Sequence, residues 1–311
     1  MKPASLLFFL LACSCAAPAH ENDELLEVGD KVIVSIDGQP FTEYRYANPS
    51  KPILYPLYGP GGVRLTRDYP MVGGTPGEAA DHPHHQSLWF AHGNVNGFDF
   101  WHGTEAGERI VHDRLLGVDW KGERAVVRAR NLWQIGGERT LCVEERTMSF
   151  GFDERGRVID FTFVLSPTDQ PLVFGDTKEG TMALRLAPTL RLSGDVAAGR
   201  SLNAAGDTDG ACWGKRAAWV SYYGPVGDRF VTVTLLDHPD NPRHPTWWHA
   251  RDYGLFAANP FGVHDFEGRP AGTGDLRVEL GETLTLRYRL RIAEGAPDPD
   301  ELDDELRRFG R

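Results

Sequence analysis

Near the C-terminus, Leu284, Leu286, Tyr288, Leu290 and Ile292 occupy every second position, and Thr285, Arg287, Arg289 and Arg291 fill the places between. A period of two puts the apolar set on one face of an extended chain and the polar set on the other, so this stretch is a sheet strand with one face against a core. The same alternation recurs earlier. Val32, Val34 and Ile36 lead into an Asp37-Gly38 turn and the run Phe41-Thr42-Glu43-Tyr44-Arg45-Tyr46, a hairpin pattern. Further strands are predicted over residues 124–135 and 140–152. Asp153-Glu154-Arg155-Gly156 then turns residues 148–150 back on 158–163, and residues 217–223 and 230–236 pair across a turn at 224–228. Helical periodicity is confined to residues 299–309, where Asp300 near the start and Arg307-Arg308 near the end suit the helix dipole. Thirty-five glycines and 21 prolines punctuate the chain as turns rather than long helices. The fold class read from this pattern is all-β, a large antiparallel β-sandwich, with residues 20–311 forming a single domain and no repeat or linker interrupting it.

The N-terminal residues read differently. Lys2 precedes an apolar run over residues 6–12 and a small-residue exit, so residues 1–19 are expected to be a secretory signal peptide. The run is short of the roughly 20 apolar residues that span a bilayer. Two exits fit: Ala17-Pro18-Ala19 before His20, or Leu10-Leu11-Ala12-Cys13, which resembles a lipoprotein box and would place a lipid anchor on Cys13. Either way the expectation is an exported, periplasmic or extracellular protein with no transmembrane segment. The formal net charge of -11 repels phosphate backbones, and no basic stripe relieves it, so nucleic acid is excluded as a partner. Cys142 and Cys212 are the cysteines left after the leader; they form one bridge or stand as two separate buried thiols, and no disulfide framework holds the fold.

Residues 55–89 and 236–274 lack regular alternation, and irregular segments of that length in a compact domain usually carry function. Five of the 11 histidines, His82, His84, His85, His92 and His102, fall within 21 residues, interleaved with Trp89, Phe90, Phe98, Phe100 and Trp101. Imidazole transfers protons near neutral pH and also ligates transition metals. Aromatic faces beside Asn, Asp and His suit a sugar, which has apolar C–H faces and a hydroxyl rim. Trp101 is the expected stacking platform. A second cluster, Gly175-Asp176-Thr177-Lys178-Glu179-Gly180-Thr181, sets Lys178 and Glu179 in a tight turn after an apolar run. A third, from His238 through Pro245 to Gly254, presents Trp248, His249 and Arg251. Arg251 is read either as a substrate fork or as an ion-pair partner of Asp252 or Glu267. The Gly-rich segment at residues 58–64 lacks the Lys-Ser/Thr of a phosphate loop, no Gly-x-Ser-x-Gly elbow is present, and neither remaining cysteine has a nucleophile's context.

The run His82-Pro83-His84-His85-Gln86-Ser87-Leu88-Trp89, the run Val95-Asn96-Gly97-Phe98-Asp99-Phe100-Trp101, Thr177-Lys178-Glu179-Gly180, and the motifs Asn241-Pro242-Arg243, Trp248-His249-Ala250-Arg251 and Asn259-Pro260-Phe261-Gly262 resemble a bacterial family labelled "methane oxygenase PmoA", abundant in planctomycetes and otherwise a domain of unknown function. The methane oxygenase label conflicts with the chain's own composition, because such a membrane subunit needs several spanning segments. The resemblance implies instead a fold similar to the galactose-mutarotase-like supersandwich, in which histidines and a carboxylate on a concave sheet face act on sugars.

Together these readings predict an exported carbohydrate-active protein, an enzyme doing metal-independent acid/base chemistry of epimerase, lyase or hydrolase type on a small sugar or oligosaccharide, with no cofactor. His84, His85 and Glu179 are the predicted catalytic groups. Lys178, Arg251, Trp101, Trp248, His249 and Asn96 are the predicted substrate contacts. Two alternatives stand beside this one: a metal-dependent hydrolase or oxygenase with ligands His82, His84 and His92, and a non-catalytic glycan-binding module.

Overall fold

The computed structural model describes residues 23–103 and 107–311, so the expected leader and its Cys13 and His20 exits lie outside the described residues. The strands in chain order are β1 (Glu24–Val28), β2 (Lys31–Ile36), β3 (Gln39–Arg45), β4 (Ile53–Leu57), β5 (Leu88–His92) and β6 (Arg109–Lys121). They continue with β7 (Arg124–Ile135), β8 (Arg139–Asp153), β9 (Gly156–Pro167), β10 (Leu172–Phe174), β11 (Gly180–Arg185) and β12 (Arg200–Asn203). The last are β13 (Trp219–Val226), β14 (Arg229–Asp237), β15 (Trp247–Trp248), β16 (Leu255–Asn259), β17 (Leu276–Val278) and β18 (Leu284–Glu294), followed by the helix Pro299–Phe309.

Two eight-stranded antiparallel sheets result. The first runs β1-β2-β3-β4-β5-β11-β16-β15 and the second β12-β13-β14-β18-β9-β8-β7-β6, with β10 and β17 paired separately. In β18 the alternation works as the sequence requires: Leu284, Leu286, Tyr288, Leu290 and Ile292 are buried in the core. The opposite face is covered as well. Arg289 and Arg291 donate to Glu305 of the C-terminal helix, and Arg291 also grips Asp153, so the helix is clamped by charge onto the outside of the second sheet. Asp298 caps that helix by accepting from the Asp300 and Glu301 amides.

The core lies between the sheets. Phe90 of β5 stacks on Phe163 of β9 with centroids 3.9 Å apart, and Phe256 of β16 stacks on Tyr222 of β13 at 4.9 Å. Phe90→Ala is expected to cost about 3–5 kcal/mol, because it empties the sheet-to-sheet contact where neither sheet can close over the gap. Urea unfolding measures it, and a loss under about 1 kcal/mol would contradict this packing. Cys142 and Cys212 are both buried and free, so the second of the two cysteine readings holds.

Candidate functional site

The register of the first sheet decides which side chains leave the core. Trp89 of β5 lies opposite Ala183 of β11, and Ala183 lies opposite Ala257 of β16. Ala257 and His249 exchange backbone hydrogen bonds at 2.9 and 3.2 Å, which extends the row. Residues directly opposite in an antiparallel ladder share a face, so Trp89, Ala183, Ala257 and His249 form one row across the sheet. Two residues along, Arg185 lies opposite Leu255, to which the Arg251 amide donates at 2.7 Å, giving a second row on the same face. Phe90 and Phe256 point the other way, into the core. The site is therefore built on the outer face of the first sheet, and His249, Arg251 and Arg185 are aimed by strand register.

Loop 79–85 is held over that face by two buried arginines. Asp81 accepts from Arg67 at 2.6 Å and from Arg185 at 2.8 Å, and Arg67 also donates to the carbonyls of Ala79, Asp81, His82 and His85. Burial opposes the Asp81 charge, but Arg185, the His82 hydrogen bond and Arg67 prevail and hold its carboxyl below the usual carboxylate range. Arg185 donates its other nitrogen to His85 Nδ1 at 3.0 Å. A guanidinium cannot accept, so the Nδ1 lone pair is taken and neutral His85 carries its proton on Nε2. Burial, then His84 and Arg185, push this ring's pKa far down. His85 is thus an N–H donor and a poor base, which changes the role expected of it.

His82, His85 and Tyr253 lie nearly parallel: His82 is 4.8 Å from His85 and 5.3 Å from Tyr253, and Arg185 and Arg251 sit 4.6 and 5.4 Å from the Tyr253 ring. His84 packs 4.2 Å from His102, whose Nδ1 meets Asp99 Oδ2 at 2.7 Å. The Asp99 hydrogen bond raises the His102 pKa. Burial, the charge on His102 and the ammonium of Lys51 push His84 down to about 3. Lys51 is itself buried beneath the site, donates to the Trp101 carbonyl at 2.7 Å, and is lowered to about 7 by desolvation.

From the other side, His249 is only 2% exposed and its Nδ1 lies 2.9 Å from the Lys178 carbonyl oxygen, to which only an N–H can donate. Burial lowers its pKa, the Lys178 carbonyl and the Glu179 carboxylate oppose that, and Arg251 adds to the lowering. The neutral ring therefore keeps a lone pair on Nε2, which is neither bonded nor sealed in among the described residues. Glu179 sits 3.5 Å from the Lys178 ammonium, and its charge reaches His102, His249 and Tyr253.

The segments around residues 82–85, 99–102, 178–179 and 249–253 thus meet at one place, and His84, His85, Glu179, Lys178, Arg251 and His249 are among the residues they bring there. Three predicted contacts stand elsewhere. Trp248 alternates with His249, so it faces the core, fully buried, with Nε1 donating to the Ala217 carbonyl. Trp101 is also fully buried, wedged against Trp89 at 5.0 Å and the edge of His85, and offers no stacking face. Asn96 bonds Pro171 and Val173 through its side chain and pins a loop. The alternative metal set does not assemble: His92 lies in the core against Phe174 and Phe261 with Nε2 on the Gly175 carbonyl, away from His82 and His84. Among the described residues no three His, Cys, Asp or Glu side chains are grouped to hold a metal ion. Arg251 pairs with neither Asp252, which accepts from Ser193, nor Glu267, which accepts from Trp247 and Arg269. Tyr253, Arg185, Arg67 and Lys51 are site residues that the sequence does not single out. The signal available for Tyr253 was its place two residues after Arg251, just before Gly254.

The pH behaviour follows from these contacts. In long-range proton–nitrogen spectra His84 is expected to stay neutral from pH 8 to 5, while His102 titrates above the ordinary imidazole value. An imidazole kept neutral in the fold is protonated more readily once unfolded, so stability contributed by neutral His84 falls as pH drops from about 6.5 toward its folded value. His84 titrating near 6.5 would refute this arrangement.

The family described as Family of unknown function (DUF6807) matches residues 31–307. The chain belongs to this family. That description carries no methane oxygenase activity, and among the described residues no helix of this DUF6807 protein is long and apolar enough to cross a membrane. No curated protein matches the chain. Among solved structures it is similar to the Slr1438 protein from Synechocystis sp. PCC 6803, at 13% identity over 85% of this chain and 89% of that one, with a TM-score of 0.37. It is also similar to a galactose mutarotase-like protein from Lactobacillus casei ATCC 334, at 8% identity over 87% of this chain and 99% of that one, with a TM-score of 0.34.

Proposed function

We propose that this protein is an exported enzyme that moves protons on a sugar, with His249 as the general base. One observation carries the reading. Around the site, Asp81 ties Arg67 to Arg185, Arg185 holds His85 Nδ1 and Asp99 holds His102, whereas the His249 Nε2, the His84 ring, the Tyr253 hydroxyl and the Arg251 guanidinium have no hydrogen-bond partner among the described residues. Groups that do no structural work yet converge on one spot are placed for a ligand.

The groups that meet there have distinct chemical parts. His249 is fixed by the Lys178 carbonyl with its lone pair outward, and the nearby Glu179 carboxylate stabilises the imidazolium formed when it accepts a proton. His102, held toward its protonated form by Asp99, supplies a proton. The phenol of Tyr253, the Nε2–H of His85 and the fork of Arg251 match a rim of hydroxyls. Sugar is the substrate class that needs both an acid/base pair and so many donors in a small space.

The test is incubation of the protein with aldoses, glycosides and oligosaccharides in deuterated water, followed by proton NMR and mass spectrometry. Deuterium uptake at carbon, anomer or epimer interconversion, or bond cleavage is the expected result. Binding without conversion across such a panel would leave only a lectin-like role and overturn the reading.

A further inference from the structure

We infer that the sugar this site takes carries a carboxylate, as a uronic acid does, and that Arg251 receives it; this rests on the sugar reading above. Every carboxylate near the site is already claimed. Asp81 is shared by Arg67 and Arg185, Asp99 is taken by His102, and Glu179 and Asp265 flank Lys178 at 3.5 and 4.0 Å. Of Arg67, Arg185 and Arg251, the first two have Asp81 within 4 Å, whereas Arg251 has no carboxylate that close among the described residues. A half-buried guanidinium left without a counter-ion is costly to keep unless a ligand supplies one.

The backbone beneath it is fixed. Arg251 to Gly254 form a turn closed by the Gly254 amide on the Arg251 carbonyl at 3.1 Å, with Gly254 at a φ of 85° that favours glycine. The Tyr222 hydroxyl donates to the same carbonyl at 3.0 Å, and the Arg251 amide is anchored to Leu255. A rigid mount under an unpaired fork is the arrangement that binds a ligand with little ordering cost. The Tyr253 hydroxyl, carried on the same turn, is a neutral donor for the rest of the head group.

Charge selects a carboxylate over a phosphate. The planar fork of arginine takes either one with two parallel hydrogen bonds. A sugar phosphate carries close to two negative charges, and the other nearby cations are engaged: Lys178 by Glu179 and Asp265, Arg185 by Asp81, and buried Lys51 by the Trp101 carbonyl. The overall charge of -11 also repels polyanions, so a monoanion held by one local cation is the species that fits.

Ligand-observed NMR and turnover assays with glucuronate and galacturonate against glucose and galactose test the inference. The wild-type protein is expected to prefer the acidic sugar about 10- to 100-fold, the range of a charge-assisted pair. That preference should shrink with added salt, fall to a ratio near one in Arg251→Gln, and recover in part in Arg251→Lys. Because salt acts on the unmodified protein, the outcome stands even if the glutamine variant folds poorly. Turnover of neutral sugars with no preference for uronates overturns this inference and leaves the acid/base reading standing. Absence of turnover and binding with all four sugars overturns both.

Discussion

Replacing His249 by asparagine is expected to lower kcat by about 10²- to 10⁴-fold, the usual contribution of a positioned proton-transfer group. Asparagine keeps a donor near the place of Nδ1, so the bond to the Lys178 carbonyl can persist while the outward lone pair is lost. The measurement is kcat and KM on whichever sugar the panel identifies, with a thermal melt as control. A variant that melts like the parent and turns over at the parent rate sinks the assignment of His249 as base. Glu179→Gln is expected to act in the same direction and less strongly, because Glu179 stabilises charge on the ring rather than taking the proton. The two substitutions together should cost less than the product of their separate effects, since both act on one proton transfer.

The second large effect is on stability and lies away from the site. Glu144 is fully buried between the sheets, where it accepts from Asn131 at 2.9 Å, from Trp133 Nε1 at 2.8 Å and from the guanidinium of Arg146. Asn131 in turn meets the Tyr44 hydroxyl of the first sheet at 3.4 Å, so the network bridges the sandwich. Glu144→Ala removes the acceptor and leaves a 4%-exposed guanidinium with no counter-charge. The expected loss is about 3–5 kcal/mol in denaturant unfolding. Replacing Glu144 and Arg146 together by leucine should recover much of it, because then no buried charge remains unpaired. A single-substitution loss under about 1 kcal/mol would show that water reaches Arg146.

The sandwich was legible wherever strands alternate cleanly. The pattern over Leu284 to Ile292 and the turns at 37–38, 153–156 and 224–228 are local, and β2, β3, β7, β8, β9, β13, β14, β18 and the C-terminal helix appear where periodicity and turn chemistry place them. What stayed hidden are the central strands of the first sheet. Leu88–His92, Gly180–Arg185 and Leu255–Asn259 are buried on both faces, so no alternation marks them. The site shares that difficulty, because it depends on which of two faces a residue takes. His249 and Arg251, two apart, emerge together, while Trp248, just before His249, goes inward, and a one-residue choice of register separates the proposed base from a core ring. Trp101 was misjudged because a tryptophan among polar residues reads as a platform until its cover is known. The role of His85 could not be read locally at all, since it is set by Arg185, a hundred positions away in the chain.

The clasp of Arg67 and Arg185 on Asp81 bears on how ligands arrive. A loop tied by charge-assisted bonds to both a buried arginine and a sheet strand cannot swing aside without breaking them, so the mouth of the site does not open and shut as a lid would. Association should then follow a single phase that rises in proportion to sugar concentration, with no plateau from a slow opening step, and weak inhibitors should enter preformed crystals without cracking them.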